Sequence, residues 1–212
     1  QKVPAGYVAV ATIFGEVKPD PYEEGLHIPV NPFYDWYFYD VRQKSHLEEA
    51  NVPSQDQLQT KIQVSVQYRL ISDSAPSILQ ETGQAKDVLR VHIVPKLRSL
   101  VREQGKTIKR AEDFFLEETQ QNMQDSLLLG LRDYLSSKGV DVGAVLIRDI
   151  SLPPFIIKAI ESKKEREQEV EKQKAELERF KTEQQQKIAL AKAEREAASE
   201  QASKLKVLAD AQ

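Results

Sequence analysis

The sequence predicts an α+β domain followed by one long helix, and three observations carry that prediction. Residues 58–70 alternate strictly: Leu58, Thr60, Ile62, Val64, Val66, Tyr68 and Leu70 take one side, and Gln59, Lys61, Gln63, Ser65, Gln67 and Arg69 take the other. A period of two is the signature of a half-buried strand. Further on, apolar residues recur at helical spacing, at Leu89, Ile93, Leu97, Leu100 and Val101 and again at Met123, Leu127, Leu131, Tyr134 and Leu135. Finally, all 8 glycines and all 10 prolines lie at or before Pro154, and the 58 residues after it contain neither. The predicted domains are therefore 1–153, a domain of mixed strands and helices, and 154–212, a long charged, alanine-rich helix.

Taken in order, Gly6 to Phe14 reads as the first strand, closed by the turn Lys18-Pro19-Asp20-Pro21. A loop from Gly25 to Phe33 leads to a second strand, Trp36 to Val41, and the long alternating strand comes next. The first helical face carries Pro95, which marks a kink or a fresh helix start. The second ends at Gly139, a C-cap residue. Val140 to Ile150 reads as a late strand. Residues 155–212 balance 13 Lys+Arg against 12 Asp+Glu among strong helix formers. One continuous helix of about 87 Å is expected from a rise of about 1.5 Å per residue. Its seam runs through Val170, Leu177, Phe180, Ile188 and Leu205, with an eleven-residue step between Leu177 and Ile188, so a heptad register is interrupted by a stutter. Alanine and polar residues fill most of that seam, which favours several helices packed side by side over an isolated pair.

Composition excludes several classes of function. With no cysteine, thiolate catalysis, iron–sulfur clusters and cysteine zinc sites are all absent. A net charge of −3 offers no strong attraction to nucleic acid. His27, His46 and His92 lie far apart and none has a partner at metal-ligand spacing, so no metal or other cofactor is expected. No nucleophile elbow, dinucleotide turn or phosphate loop occurs, and the adjacent pairs Glu23-Glu24, Glu48-Glu49 and Glu117-Glu118 point their side chains apart rather than across a substrate. Arg98 and Arg102, with Lys96 and Lys106 near them, stand one turn apart and read as a solvated charged face or a weak anion contact. No catalytic residue is nominated, and the chain is expected not to be an enzyme.

One cluster stands out. Phe33, Tyr34, Trp36, Tyr37, Phe38 and Tyr39 place six of fifteen aromatic residues within seven positions. A sheet covered on both faces would absorb all six. The other reading puts Phe33, Tyr34 and Trp36 at a membrane interface, beside the proline-bearing loop from His27 to Pro32. No run of 18 apolar residues exists, so the sequence as given holds no membrane span. It begins at Gln1 and stops at Gln212 within a helix-forming stretch, which predicts a piece of a longer protein with any anchor upstream of Gln1.

Several short segments also resemble the SPFH (Band 7) superfamily of stomatins, prohibitins and flotillins, and most of all its bacterial prohibitin-like members. They are Val3 to Val10 (VPAGYVAV), Gly25-Leu26-His27 with Pro32-Phe33, and Tyr39-Asp40-Val41-Arg42. Asp56 and the strand ending Tyr68-Arg69 come next, then Val94 to Arg98 with Arg102, Gly139-Val140, and Ile147 to Pro153. Lys163, Glu167 and Gln168 fall where the family begins its charged helix. Each segment is short; their order and spacing carry the resemblance over essentially the whole chain. The resemblance implies an SPFH domain with a coiled-coil helix and an N-terminal anchor before Gln1, attached to a bacterial inner membrane. It implies a non-enzymatic scaffold that closes into large homo-oligomeric rings or cages, binds membrane lipids, organises microdomains and in some branches encloses a membrane-bound AAA protease. On that basis Val3, Pro4, Phe33, Tyr34 and Trp36 are expected near the membrane, and Val170, Leu177, Phe180, Ile188 and Leu205 at the contacts between protomers. The competing reading is a peripheral coiled-coil adaptor of low oligomeric order that binds a partner protein.

Overall fold

A computed structural model describes residues 1–212. Residue contacts divide the chain into two units, Gln1–Pro153 and Pro154–Gln212.

The first unit begins with β1 (Lys2–Val3), β2 (Tyr7–Ile13), β3 (Glu16–Val17), β4 (Gly25–Leu26) and β5 (Tyr34–Asp40). β1 pairs with β4, and β2 lies between β3 and β5 in an antiparallel sheet whose register sets Tyr7 opposite Asp40 and Ile13 opposite Tyr34. The central strand carries Val8, Ala9, Val10 and Ala11, all fully buried. Small and β-branched residues let covering chain approach it from both faces.

A second antiparallel sheet comes next, in the order β6 (Lys44–Pro53), β7 (Gln59–Leu70), β8 (Val140–Ser151). β7 buries Thr60, Ile62, Val64, Val66, Tyr68 and Leu70, the side that alternation assigns inward, and Ser65 besides. Ser65 finds the hydroxyl of Ser45 on β6 at 3.1 Å. β6 is an element the sequence pattern does not announce. Its inward positions include Lys44, His46 and Glu48, and only Val52 is fully buried, so no apolar alternation marks it. Pairing with β7 along its whole length, Lys44 to Tyr68 through Pro53 to Gln59, holds it in place.

Between β7 and β8 run α1 (Ala75–Glu81), α2 (Ala85–Val88), α3 (Val94–Gly105) and α4 (Glu117–Leu135). A π-turn, Leu89–Ile93, joins α2 to α3 with the backbone helical throughout, and Pro95 follows just after it, so Pro95 marks an irregular turn within a continuous helix rather than a fresh helix start. α4 buries Met123, Leu127, Leu131 and Leu135, and after a 3-10 turn the chain reverses at Gly139 with φ +81°. Side chains from β2, β5, β7, β8 and all four helices meet in one core, with Tyr39, Ile62, Ile93, Leu97, Leu127 and Leu131 among its largest members.

The two edges of the second sheet are finished differently. At β8 two irregularities interrupt the pairing with β7, and α4 bonds the strand there: Arg132 donates to the carbonyls of Val142 and Gly143 at 2.9 and 3.3 Å, and the Ile147 N–H donates to Gln124. At β6 the edge carries inward charge instead, a standard guard against strand addition.

The second unit is α5 (Pro154–Asp210), a single helix of 57 residues with no buried side chain. At about 1.5 Å per residue it extends about 85 Å. No helix in the chain is long and apolar enough to cross a membrane.

Candidate membrane-facing and assembly surfaces

The β2–β3 turn and the loop entering β5 lie side by side, because Ile13 pairs with both Glu16 and Tyr34. The residues just beyond those pairs, Phe14 and Phe33, therefore meet, with ring centroids 6.0 Å apart. Both are open to solvent, at 86% and 65% exposure. Tyr34 continues the row, its ring 5.8 Å from Trp36, which stands edge-on to Tyr22 at 4.9 Å, which in turn meets His27 at 5.1 Å. Leu26 and Ile28 flank His27 and are 68% and 75% exposed. Alternation along β5 explains the division of its aromatics: Tyr39 turns inward, where its hydroxyl donates to the Gly83 carbonyl at 2.7 Å, while Tyr34 and Trp36 stay half-buried on the other face. Burial, helped by the Asp87 and Tyr37 charges, pushes Tyr39 up to about 12.

Of the residues expected near the membrane, Phe33 meets Phe14, while Tyr34 and Trp36 belong to the set of rings that follows it on β5, and Pro4 is exposed after β1. Val3 is buried, with only 2% exposed, and is no part of this surface. Sequence reasoning overlooked Phe14 and Tyr22. Phe14 at φ +50°, just ahead of Gly15, is an aromatic on the tip of a tight turn, and that position was the available signal.

A clamp fixes the opposite end of this sheet. Asp40 accepts two bonds from the Arg42 guanidinium, at 2.9 and 2.8 Å, and those bonds hold its carboxyl down to about 2. So pinned, Arg42 lies over the Tyr7 ring at 5.4 Å and runs its stem across Gly6. Gly6, Tyr7, Asp40 and Arg42, separate in sequence, form one structural feature.

The charged residues considered for chemistry resolve into structural pairs. Arg98 on α3 donates to Glu48 on β6 at 2.6 and 3.0 Å, and His46 reaches the other Glu48 oxygen at 2.7 Å. Burial alone would raise Glu48; the His46 and Arg98 bonds outweigh it and hold the carboxyl below its usual range. This triad joins strand to helix and lines no enclosed cleft. His92 bonds Thr82 at 2.8 Å, and burial together with the Lys138 charge lowers its basicity. No group of three or more His, Asp or Glu is placed to hold a metal.

On α5, Val170, Leu177, Phe180, Ile188 and Leu205 are 49–68% exposed. Val170 and Ile188 are 18 residues apart, about five turns, so they share a meridian with Leu177 some 20° away. At about 100° per residue Phe180 lies about 80° and Leu205 about 100° from that line. Leu190, Val207 and Leu208 are 62–66% exposed on further sides. The apolar residues line one short stripe and then spread around the helix.

No curated protein matches this chain. The model of the SPFH domain / Band 7 family matches residues 1–202, from β1 through most of α5. With three small antiparallel sheets, four packed helices and a long terminal helix beneath that match, the chain belongs to the SPFH domain / Band 7 family.

Proposed function

We propose that this protein is a non-enzymatic, membrane-associated scaffold whose copies assemble into a large ring or cage, as a bacterial prohibitin-like member of its family. Family membership supports the membrane association. The observation that carries the assembly is α5: 57 residues without one buried side chain, yet with a stripe of Val170, Leu177 and Ile188 and further apolar residues around it. A solitary helix gains nothing from those residues, whereas neighbours packed around it cover them. Ring closure then multiplies contacts that are weak one at a time. The aromatic row from Phe14 to His27, exposed at Phe14 and Phe33 and half-buried at the other rings, is the surface that meets lipid, reinforcing an anchor upstream of Gln1. Such an enclosure organises the bilayer it surrounds, and a membrane-bound AAA protease is the kind of partner it would restrain.

Mass photometry of the detergent-extracted protein tests this reading. A discrete assembly of many protomers is expected, and Leu177→Asp with Ile188→Asp lowers its mass while leaving the near-UV signal of Gln1–Pro153 unchanged. A monomer-to-trimer mass at every concentration would favour the adaptor, and full assembly of the double variant would remove the stripe from the interface.

A further inference from the structure

The charge around the aromatic row is lopsided. Residues 1–36 hold five carboxylates, Glu16, Asp20, Glu23, Glu24 and Asp35, against Lys2 and Lys18. The whole chain has 30 Lys+Arg and 33 Asp+Glu, which leaves 28 of each for residues 37–212. With histidine counted as neutral, the entire net charge of −3 therefore resides in the segment that bears the row.

These carboxylates are interleaved with the ring-bearing residues. Glu16 pairs with Ile13 and so sits next to Phe14, while Asp35 follows Tyr34 on β5 and is turned by alternation to the other face of the strand. Asp20 acts on the Tyr22 hydroxyl, and Glu23 follows Tyr22 directly, its backbone carbonyl bonding the His27 ring. Glu24 accepts from the Gly6 N–H at 2.9 Å. All five are exposed and none joins an ion pair. Elsewhere in the first unit charge is nearly balanced, with 15 Lys+Arg against 16 Asp+Glu over residues 37–153, and Asp40, Glu48, Glu49 and Asp141 are paired with Arg42, Arg98, Lys61 and Arg69. The excess of acid over base is thus carried by the segment that bears the aromatic rings.

We infer that this end of the protein is matched to an electrically neutral, zwitterionic lipid surface and is repelled by an anionic one. The inference rests on the reading that the row meets lipid, and adds which lipid it meets. Aromatic rings seat at the headgroup level of any bilayer, so they supply attachment without choosing a surface. Charge makes the choice. A leaflet rich in anionic lipid holds a potential of about −30 mV, which attracts basic segments and repels acidic ones. Three net negative charges at that potential weaken partition on the order of thirtyfold. A scaffold with this tip is thereby directed to the less anionic leaflet of an asymmetric membrane.

The test uses the full chain with vesicles of phosphatidylcholine alone or with about 30% phosphatidylglycerol. Partition is read from the blue shift of Trp36 and from co-sedimentation, at about 20 mM and about 500 mM salt. Binding to phosphatidylcholine is expected at both salts, with binding to the mixed vesicles at least tenfold weaker at low salt and nearly equal at high salt. The triple variant Glu16→Gln, Asp20→Asn, Asp35→Asn keeps phosphatidylcholine binding and loses most of the discrimination. Equal or tighter binding of the unaltered chain to the anionic vesicles at low salt overturns the inference and leaves the membrane reading intact. Binding to neither vesicle overturns both, and points to a protein as the occupant of the row.

Discussion

Gly6 shows how much one residue can decide. It adopts φ +78°, its carbonyl accepts from the Val41 N–H at 2.9 Å, and an added Cβ would stand 2.7 Å from the Arg42 Cδ. Gly6→Ala is expected to cost about 1–2 kcal/mol from the left-handed backbone alone, and to dislodge Arg42 from Tyr7 as well. Urea unfolding would read the loss; an unchanged midpoint would mean the clamp is slack. Asp56 is the corresponding residue in the turn between β6 and β7. Its carboxylate accepts from Ser54, from the Leu58 N–H and, at 3.1 Å, from the Ala111 N–H. Burial opposes ionisation there, but these bonds prevail and the pKa is lowered. A depressed folded value means that unfolding takes up a proton, so the contribution is present above the ordinary aspartate value of about 4 and fades as pH falls through the folded one. Asp56→Asn is therefore expected to lower Tm by a few degrees near neutral pH and to flatten its decline below about pH 4, as scanning calorimetry across pH would show.

Among the elements, β7 and the two longer helices of the first unit were legible because their apolar positions face one core at the period of their own geometry. β6 was not, since its inward face is spent on the His46–Glu48–Arg98 triad, and charge at inward positions erases the period-two signal. α1 and α2 are too short, at 7 and 4 residues, to establish a helical period at all. The aromatic row was half legible: Phe33, Tyr34 and Trp36 stood together in sequence, whereas Phe14 and Tyr22 join them only through strand pairing. For α5, composition alone sufficed to indicate a helix, and its exposure sets its thermal behaviour. Without burial its helicity rests on local propensity and on neighbours, so far-UV ellipticity is expected to fall gradually on heating and to survive to higher temperature as protein concentration rises. The near-UV signal of the first unit should fall in one step. A single sharp transition shared by both signals at every concentration would show that α5 draws its stability from elsewhere.

For the molecule as a whole, chemistry and position are separated along the chain. The net negative charge lies in the first 36 residues, the packed core draws on β2 as well as on the later strands and helices of the first unit, and α5 nearly balances its charges over a length that, after Pro154, holds no glycine or proline. Arg90, Arg98, Arg102, Glu103 and Lys106 line an open groove along α3, and the triad with a perturbed carboxylate serves to tie β6 to α3. The Val170–Ile188 repeat of 18 residues has one further consequence. Inserting one more such block of like composition would lengthen α5 by about 27 Å and return every later side chain to its original bearing, whereas an insertion of four residues turns the distal part of the helix by about 40° for a gain of only about 6 Å. The helix is a gauge with two independent settings, reach and bearing, and evolution can change the first in whole blocks without disturbing the second.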